Sequence, residues 1–406
     1  MQYGLIGEKL SHSYSVKIHG ALAPYKYELC PLAKNQVEDF IKGKTYLGLN
    51  VTIPYKQTVI PFLDFVSEKA LSIGGVNTIV NENGVLKGYN TDYYGFLYNT
   101  KRAGISFKDK HVVILGGGAT SKTAQTVVNG EGAKTLTVIS RSGENNYQTV
   151  YSLTQTQIIV NTTPLGTFPD YDAKAVDLSK FPNLEGVVDV VYNPSRTQLI
   201  LQAESLGVKC VNGLGMLVAQ GAKACELFTG QPVPEEKIES AIVSLQKELK
   251  NIVLIGMPGS GKSSVAKLLG EKLGMQVVDT DALIEQAEKR SIPDIFATDG
   301  EEYFRQKERQ VVLSLCQTGG KIISTGGGII LNKQNSIDLK RNGTVYYLDR
   351  ALDKLARGGR PLSLKDGVET LYENRKDLYA FATDIAVDNN GDITETVKKI
   401  EKDFLK

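Results

Sequence analysis

The stretch LIGMPGSGKSS, residues 254–264, decides the fold of the second half of the chain. Gly256, Gly261, Lys262 and Ser263 spell G-x-x-x-x-G-K-S, with Gly259 and Ser264 in or beside the loop. Glycines let backbone N–H groups turn onto phosphate, the lysine adds a point charge, and the serine hydroxyl suits Mg2+. The apolar run IVLIG ahead of the loop predicts a strand, and SSVAKLLGEKLG after it predicts a helix. Both flanks are what a phosphate-binding loop requires. Such a loop usually opens its domain, so the long segment before residue 254 needs a separate account.

With 406 residues, the chain is long enough for about two or three domains. Hydrophobic residues make up 41% and charged residues 23%, a soluble globular composition. The net charge of +2 gives no reason to expect a nucleic-acid or membrane partner. No apolar run approaches the ~20 residues of a membrane span, and MQYGLIGEKLSHS is not a signal peptide. Four scattered cysteines form no metal or disulfide pattern, so a cytoplasmic protein is expected. Three histidines leave little room for a histidine-based metal site or triad. Acid–base chemistry therefore falls to Lys, Asp, Glu or Tyr.

Strand and helix patterns alternate along the chain, which predicts α/β architecture with largely parallel sheets. Strands are expected at 3–7, 46–53, 111–116, 135–140, 157–163 and 187–192. A helix is expected at 234–250, where Ile238, Ala241, Ile242, Leu245 and Leu249 share one face. It runs into the strand IVLIG without a Gly/Ser/Pro linker, which sets a domain boundary near Lys250.

Beyond the loop, MQVVDTD (275–281) reads as a strand ending in Asp279 and Asp281. Carboxylates at such an edge lie beside the phosphate site, one for Mg2+ and one for a substrate hydroxyl. GEEYFRQKE places Arg305 and Glu308 at helical i,i+3, which alone would be a surface ion pair. STGGGII (324–330) reads as a strand ending in Gly326, Gly327 and Gly328. LARGGRPLS and ENRKDLY add Arg357, Arg360 and Arg375. In this order the motifs resemble shikimate kinase over nearly all of 250–406. The resemblance implies ATP binding by Gly256, Gly259, Gly261, Lys262, Ser263, Ser264, Arg357 and Arg360, and Mg2+ binding by Ser263 and Asp279. It also gives Asp281, Arg305, Gly326, Gly327, Gly328 and Arg375 to the substrate, with Lys262 and Asp281 catalytic. Only Gly358 and Gly359 separate the two lid arginines, fewer residues than is usual in that family.

In the front half, SHSYS offers Ser13 and Ser15, which suit either a ligand or a helix N-cap. NVTIPYK, GGVNT and GYNTD add Thr52, Lys56, Asn77 and Asp92 at polar strand ends. LGGGATSKT follows a strand and opens a helix, with Gly116, Gly118 and Ser121 at the three positions of a dinucleotide fingerprint. The next strand ends in Ser140-Arg141-Ser142 rather than an acid, which favours the 2′-phosphate of NADP over NAD. These stretches, with NTTPLG, DVVYNP and GLGMLVAQ, resemble shikimate dehydrogenase over 1 to about 249. The resemblance implies Lys56 and Asp92 as the catalytic pair. Ser13, Ser15, Thr52, Asn77, Tyr192 and Gln220 would hold the substrate. Gly116, Gly118, Ser121 and Arg141 would hold NADP(H), with Asn161 and Thr162 near the nicotinamide. Residues 143–156 are short for a full Rossmann helix and strand.

Three lobes are expected. A substrate domain spans 1–96 with 213–249, a Rossmann-like NADP domain 97–212, and a P-loop kinase domain of α/β/α type 250–406. The two resemblances imply consecutive reactions, from 3-dehydroshikimate to shikimate with NADPH and then to shikimate 3-phosphate with Mg·ATP. The rivals are a dehydrogenase half that also accepts quinate, and a regulatory protein that binds the same ligands without turnover. Residue patterns leave the oligomeric state open.

Overall fold

The computed structural model describes residues 2–10, 13–168, 171–355 and 367–405. They form two compact units, one of Met1–Tyr192 with Thr197–Ile242 and one of Asn193–Arg196 with Val243–Lys406. The short stretch Asn193–Arg196 belongs with the second unit because of its bonds. Ser195 N–H donates to Asn342 Oδ1 at 2.7 Å, and Arg196 pairs with Asp384 at 3.0 Å. Spacing along the chain carries no sign of these contacts. Among the described residues no helix is long and apolar enough to cross a membrane.

The first unit holds two sheets. Strands β1 (Tyr3–Gly7), β2 (Tyr27–Pro31), β3 (Gly48–Val51), β4 (Phe65–Val66), β5 (Thr78–Glu82) and β6 (Val85–Tyr89) form a mixed sheet, order β2-β1-β3-β5-β6-β4. Strands β7 (His111–Leu115), β8 (Thr135–Ile139), β9 (Ile158–Asn161), β10 (Gly186–Asp189) and β11 (Lys209–Val211) form a parallel sheet, order β11-β10-β9-β7-β8. Its inner strands β7, β9 and β10 are apolar on both faces because helices cover both. Ile114, Val127 and Val128 share one core, while Val113, Leu199 and Ile200 share another. Between β8 and β9 the chain makes one 3-10 turn, Val150–Ser152, where a doubly wound fold usually places a helix.

Strands β12 (Asn251–Ile255), β13 (Gln276–Asp279), β14 (Lys321–Ser324), β15 (Gly343–Asp349) and β16 (Ile385–Asp388) form the parallel sheet of the second unit, order β13-β14-β12-β15-β16. Alternate residues of β12 supply its two cores. Ile252 and Leu254 pack with Val265 and Leu269, and Val253 and Ile255 pack with Val312 and Leu315. The central position of β12 puts the phosphate loop at the middle of the sheet's C-terminal edge, where α/β folds bind ligands. The helix expected at 234–250 runs from Glu235 to Leu249. Several strands are shorter than expected: 46–53 holds only Gly48–Val51, 157–163 only Ile158–Asn161, and 275–281 only Gln276–Asp279, while the strand expected at 187–192 is Gly186–Asp189. The strand expected at 324–330 lies earlier, at Lys321–Ser324. Thr280 opens a helix, and the three glycines after Ser324 lie outside the ladder.

Candidate active sites

Lys56 and Asp92 meet in a 2.6 Å ion pair, both side chains about one-fifth exposed. Lys56 lies in the turn after β3, and Asp92 is the first residue of helix Asp92–Arg102, where the helix dipole favours a carboxylate. Asn90 ties the two segments together. Its Nδ2 donates to the Gly75 carbonyl at 2.8 Å and its Oδ1 accepts the Asp92 N–H at 3.1 Å. The Lys56 carbonyl in turn accepts the Val76 N–H at 2.8 Å.

Asn77 is buried beside this pair's scaffold. Its Oδ1 accepts the Thr91 N–H at 2.7 Å and faces the Thr78 and Thr91 hydroxyls at 3.1 and 3.2 Å. With that oxygen committed, the amide NH2 is the group left to donate to a ligand. The Thr91 hydroxyl also reaches Gln220 Oε1 at 3.4 Å. Gln220 comes close because Gly95 has no side chain. A Cβ there would stand 2.5 Å from the Met216 carbonyl and 2.9 Å from Gln220 Cβ. Thr52 is placed by its N–H, which donates to the Ile6 carbonyl at 3.0 Å.

Ser13 and Ser15 form a separate hydroxyl pair at 3.0 Å. They do not cap the following helix in the usual way, because Tyr14 occupies the cap position and makes no side-chain capping hydrogen bond. Tyr14 instead meets Tyr192 edge-on, ring centroids 6.1 Å apart. His19 on the same helix stacks on Tyr27 at 3.8 Å, and burial depresses its pKa to about 3. It is a neutral core histidine.

At the end of β7, Gly116 has φ +109°, and a Cβ there would stand 2.7 Å from Thr162 Oγ1. Gly118 caps helix Ala119–Gly130, with open space where a side chain would begin. A bare backbone at a 12-residue helix N-terminus fits a pyrophosphate. Ser121 is wholly buried, and its hydroxyl accepts from Gln125 on the same helix at 3.1 Å. Arg141 lies exposed just past β8, open to a 2′-phosphate. Thr162 donates to the Leu115 carbonyl at 2.7 Å. Asn161 is 1% exposed and turned inward, its Nδ2 donating to Asp189 Oδ1 at 2.9 Å. Asp189 also accepts from the Thr197 hydroxyl at 2.6 Å and the Val191 N–H at 3.1 Å, while burial pushes its carboxyl up to about 6. Asp189 braces the loops beyond β9 and β10, a role that only the parallel pairing of those strands makes visible.

In the second unit, Gly256, Gly259 and Gly261 all take positive φ, at +152°, +86° and +94°. The loop curls around the Lys262 ammonium, which donates to the carbonyls of Gly256 and Met257 at 2.8 and 3.1 Å. Ser263 and Ser264 follow, exposed, in the first turn of helix Lys262–Leu273. Asp279 Oδ1 caps the next helix, accepting the N–H groups of Asp281 and Ala282. Its Oδ2 receives the Ser324 hydroxyl at 2.9 Å and the Ser263 hydroxyl at 3.3 Å. One carboxylate and two hydroxyls at a phosphate loop form an all-oxygen donor set that suits Mg2+. Ser324 was hidden in the sequence, because only the β13–β14 register sets it opposite Asp279.

Asp281 is largely buried, and its Oδ1 has no hydrogen-bond partner among the described residues. Burial and the nearby Asp279 push its carboxyl up to about 6, against the pull of Lys262 and Arg305. The three glycines line this carboxylate and its neighbours. A Cβ on Gly326 would stand 2.4 Å from Asp281 Oδ1, and one on Gly328 would stand 2.7 Å from Arg305 Nη2. Arg375 and Tyr379 both donate to the Gly327 carbonyl, at 3.0 and 2.9 Å. The Arg305–Glu308 pair forms at 3.1 Å, yet Glu308 is 1% exposed, so this is no surface ion pair. Glu301 holds the other edge of Arg305 at 2.9 Å. The expected contributions of Arg357 and Arg360 lie outside the described residues.

Comparison with known proteins agrees with both halves. Residues 5–79 match the model of the shikimate dehydrogenase substrate binding domain, and 213–243 that of the shikimate 5'-dehydrogenase C-terminal domain. Residues 258–404 match the model of shikimate kinase. A shikimate dehydrogenase (NADP(+)) from Clostridium beijerinckii is 37% identical over 245 residues, covering 56% of this chain and 91% of that protein. The crystal structure of a chorismate mutase/shikimate 5-dehydrogenase fusion protein from Clostridium acetobutylicum is 33% identical with a TM-score of 0.58. That match covers 60% of this chain and 97% of the other. A shikimate dehydrogenase crystallised with NADP+ is 30% identical with a TM-score of 0.55, over 60% of this chain and 94% of the other.

Proposed function

Because the chain belongs to the shikimate dehydrogenase family and carries a shikimate kinase domain, an oxidoreductase joined to a kinase, we propose that one polypeptide performs both activities in sequence. The first unit reduces 3-dehydroshikimate to shikimate with NADPH, and the second phosphorylates shikimate with Mg·ATP. The observation that carries this reading is that both units keep reactive side chains at their sites: the Lys56–Asp92 pair in the first, and Lys262 with Asp281 in the second. A protein that only bound these ligands would need neither the Lys56–Asp92 proton-transfer pair nor the Asp281 carboxylate as a proton acceptor.

NADPH would supply the hydride. In this reading Gly116 and Gly118 offer bare backbone to its pyrophosphate at the start of the helix that carries Ser121, and Arg141 binds the 2′-phosphate. Asn161 supports Thr162 and Thr163 at the nicotinamide side. Lys56 and Asp92 deliver the proton to the carbonyl oxygen as the alcohol forms, the ammonium donating and the carboxylate holding it in place. Ser13, Ser15, Thr52, Asn77, Tyr192 and Gln220 grip the carboxylate and hydroxyls of the substrate.

In the kinase unit Ser263 and Asp279 would hold Mg2+, which would supply charge neutralisation at the phosphates. Asp281 orients the attacking hydroxyl of shikimate and accepts its proton. Arg305 and Arg375 clamp the substrate carboxylate, a match for the planar guanidinium, and Gly326, Gly327 and Gly328 line the pocket. Lys262, Ser264, Arg357 and Arg360 hold ATP. The functional divisions we propose are 1–96 with 213–249 for the substrate, 97–212 for NADP(H), and 250–406 for the kinase.

Two separate assays test this. With 3-dehydroshikimate and NADPH alone, absorbance at the nicotinamide band should fall. With shikimate and Mg·ATP alone, ADP should be released. Silence in either assay removes that half of the proposal.

A further inference from the structure

We propose that Arg350 is a further nucleotide-binding residue, whose guanidinium holds the phosphate chain of ATP at the end of the P-loop. The inference rests on the kinase reading of this unit and adds a residue that none of the motifs contains.

Arg350 directly follows β15, which pairs in parallel with β12 up to Ile255 opposite Tyr347. Both strands therefore end at the same sheet edge, and Arg350 emerges beside the phosphate loop. Its Nη1 lies 3.7 Å from the point where a Cβ of Gly261 would stand. Gly261 immediately precedes helix Lys262–Leu273, so this is where the helix presents its free N–H groups.

The side chain is held there. Arg350 Nε donates to the Lys354 carbonyl at 3.0 Å, which fixes one edge of the guanidinium and leaves the Nη groups for the loop. The segment carrying it is laced to the turn after β16. Ala351 N–H donates to Asn390 Oδ1 at 2.7 Å, and Lys354 Nζ to the Asn390 carbonyl at 3.2 Å. Asn389 flanks Gly261 as well, with Nδ2 3.4 Å from the same point, and steadies the loop by donating to the Ser260 carbonyl at 2.5 Å.

Among the described residues, no carboxylate pairs with Arg350, and the bond to Lys354 is its one hydrogen bond. An arginine serving only the surface would usually be free in solvent or paired with an acid. This one is half-buried, tethered at one edge, and set without an anion beside a loop built to collect anions. A nucleotide phosphate supplies the missing charge.

The test uses the full chain, with Mg·ADP and shikimate affinities measured by calorimetry on wild type, Arg350→Ala, Arg350→Lys and the reference variant Lys262→Ala. We expect Arg350→Ala to weaken Mg·ADP about ten-fold, with shikimate binding and dehydrogenase activity unchanged, and Arg350→Lys to recover most of the loss. Wild-type affinity for Mg·ADP in Arg350→Ala overturns the proposal while the kinase reading stands. So does equal weakening of shikimate binding, or a Lys variant no better than Ala. Failure of the wild type to bind Mg·ADP overturns both.

Discussion

Lys56 Nζ stands 2.6 Å from Asp92 Oδ2, joining a turn after one strand to the first residue of a helix 36 positions later. The pair is enclosed enough to be held and open enough to meet a ligand. Lys56→Ala should lower the dehydrogenase rate by about 100-fold or more and leave ADP release from shikimate and ATP unchanged. Lys262→Ala should do the reverse. Both are read by nicotinamide absorbance and ADP release on the same preparations. Loss of both activities in either variant contradicts two separate sites.

Asp281 gives a pH signature. Its carboxyl must be ionised to accept a proton, so the kinase rate should fall as the pH drops through about 6. Stability runs the other way. The folded protein holds this proton more tightly than the unfolded chain, so ionisation costs stability as the pH rises from 3.8 through about 6. Asp281→Asn should therefore stop the kinase yet stabilise the second unit at pH ~8 by up to about 3 kcal/mol, with no gain at pH ~3. Denaturant titrations at the two pH values check it.

Gly326 permits that carboxylate to sit where it does. An added methyl would stand 2.4 Å from Asp281 Oδ1. Gly326→Ala should displace the carboxylate and reduce kinase kcat/KM about ten-fold or more, with dehydrogenase rates unaffected. Steady-state kinetics with shikimate varied will show it.

Arg141 decides cofactor choice in this account. Arg141→Ala should raise KM for NADPH about ten-fold and leave the weaker use of NADH unchanged, because only the 2′-phosphate loses a partner. Equal changes for both cofactors would place Arg141 outside the binding site.

Asp189 holds Asn161, Thr197 and the Val191 N–H from a fully buried position. Asp189→Ala leaves all three without their buried partner and should cost about 3 kcal/mol, while Asp189→Asn should cost less. Chemical denaturation measures both variants.

Much of this was legible in the residues. The apolar run IVLIG and the glycines behind it announce a strand feeding a phosphate loop, and β12 and its helix follow. YGLIG is a strand over Tyr3–Gly7 as read. What pattern alone left out depends on register and crossing. Ser324 lies in a quoted motif, but its pairing with Asp279 comes from two strands meeting side by side. Arg350 lies in no motif at all, and only the parallel pairing of β12 and β15 carries it to Gly261. The resemblance puts Asn161 near the nicotinamide, yet Asp189 on the neighbouring strand draws its side chain inward. Asn193–Arg196 joins the second unit through hydrogen bonds to residues that lie more than a hundred positions further on.

The central claim, that one chain carries out both steps, is tested most directly by incubating the purified protein with 3-dehydroshikimate, NADPH and Mg·ATP. Nicotinamide absorbance and shikimate 3-phosphate are followed together, the latter by mass spectrometry. The account predicts that NADPH falls and shikimate 3-phosphate accumulates, approaching one equivalent per NADPH oxidised. NADPH consumption with only shikimate accumulating, or no change in either signal, would contradict it.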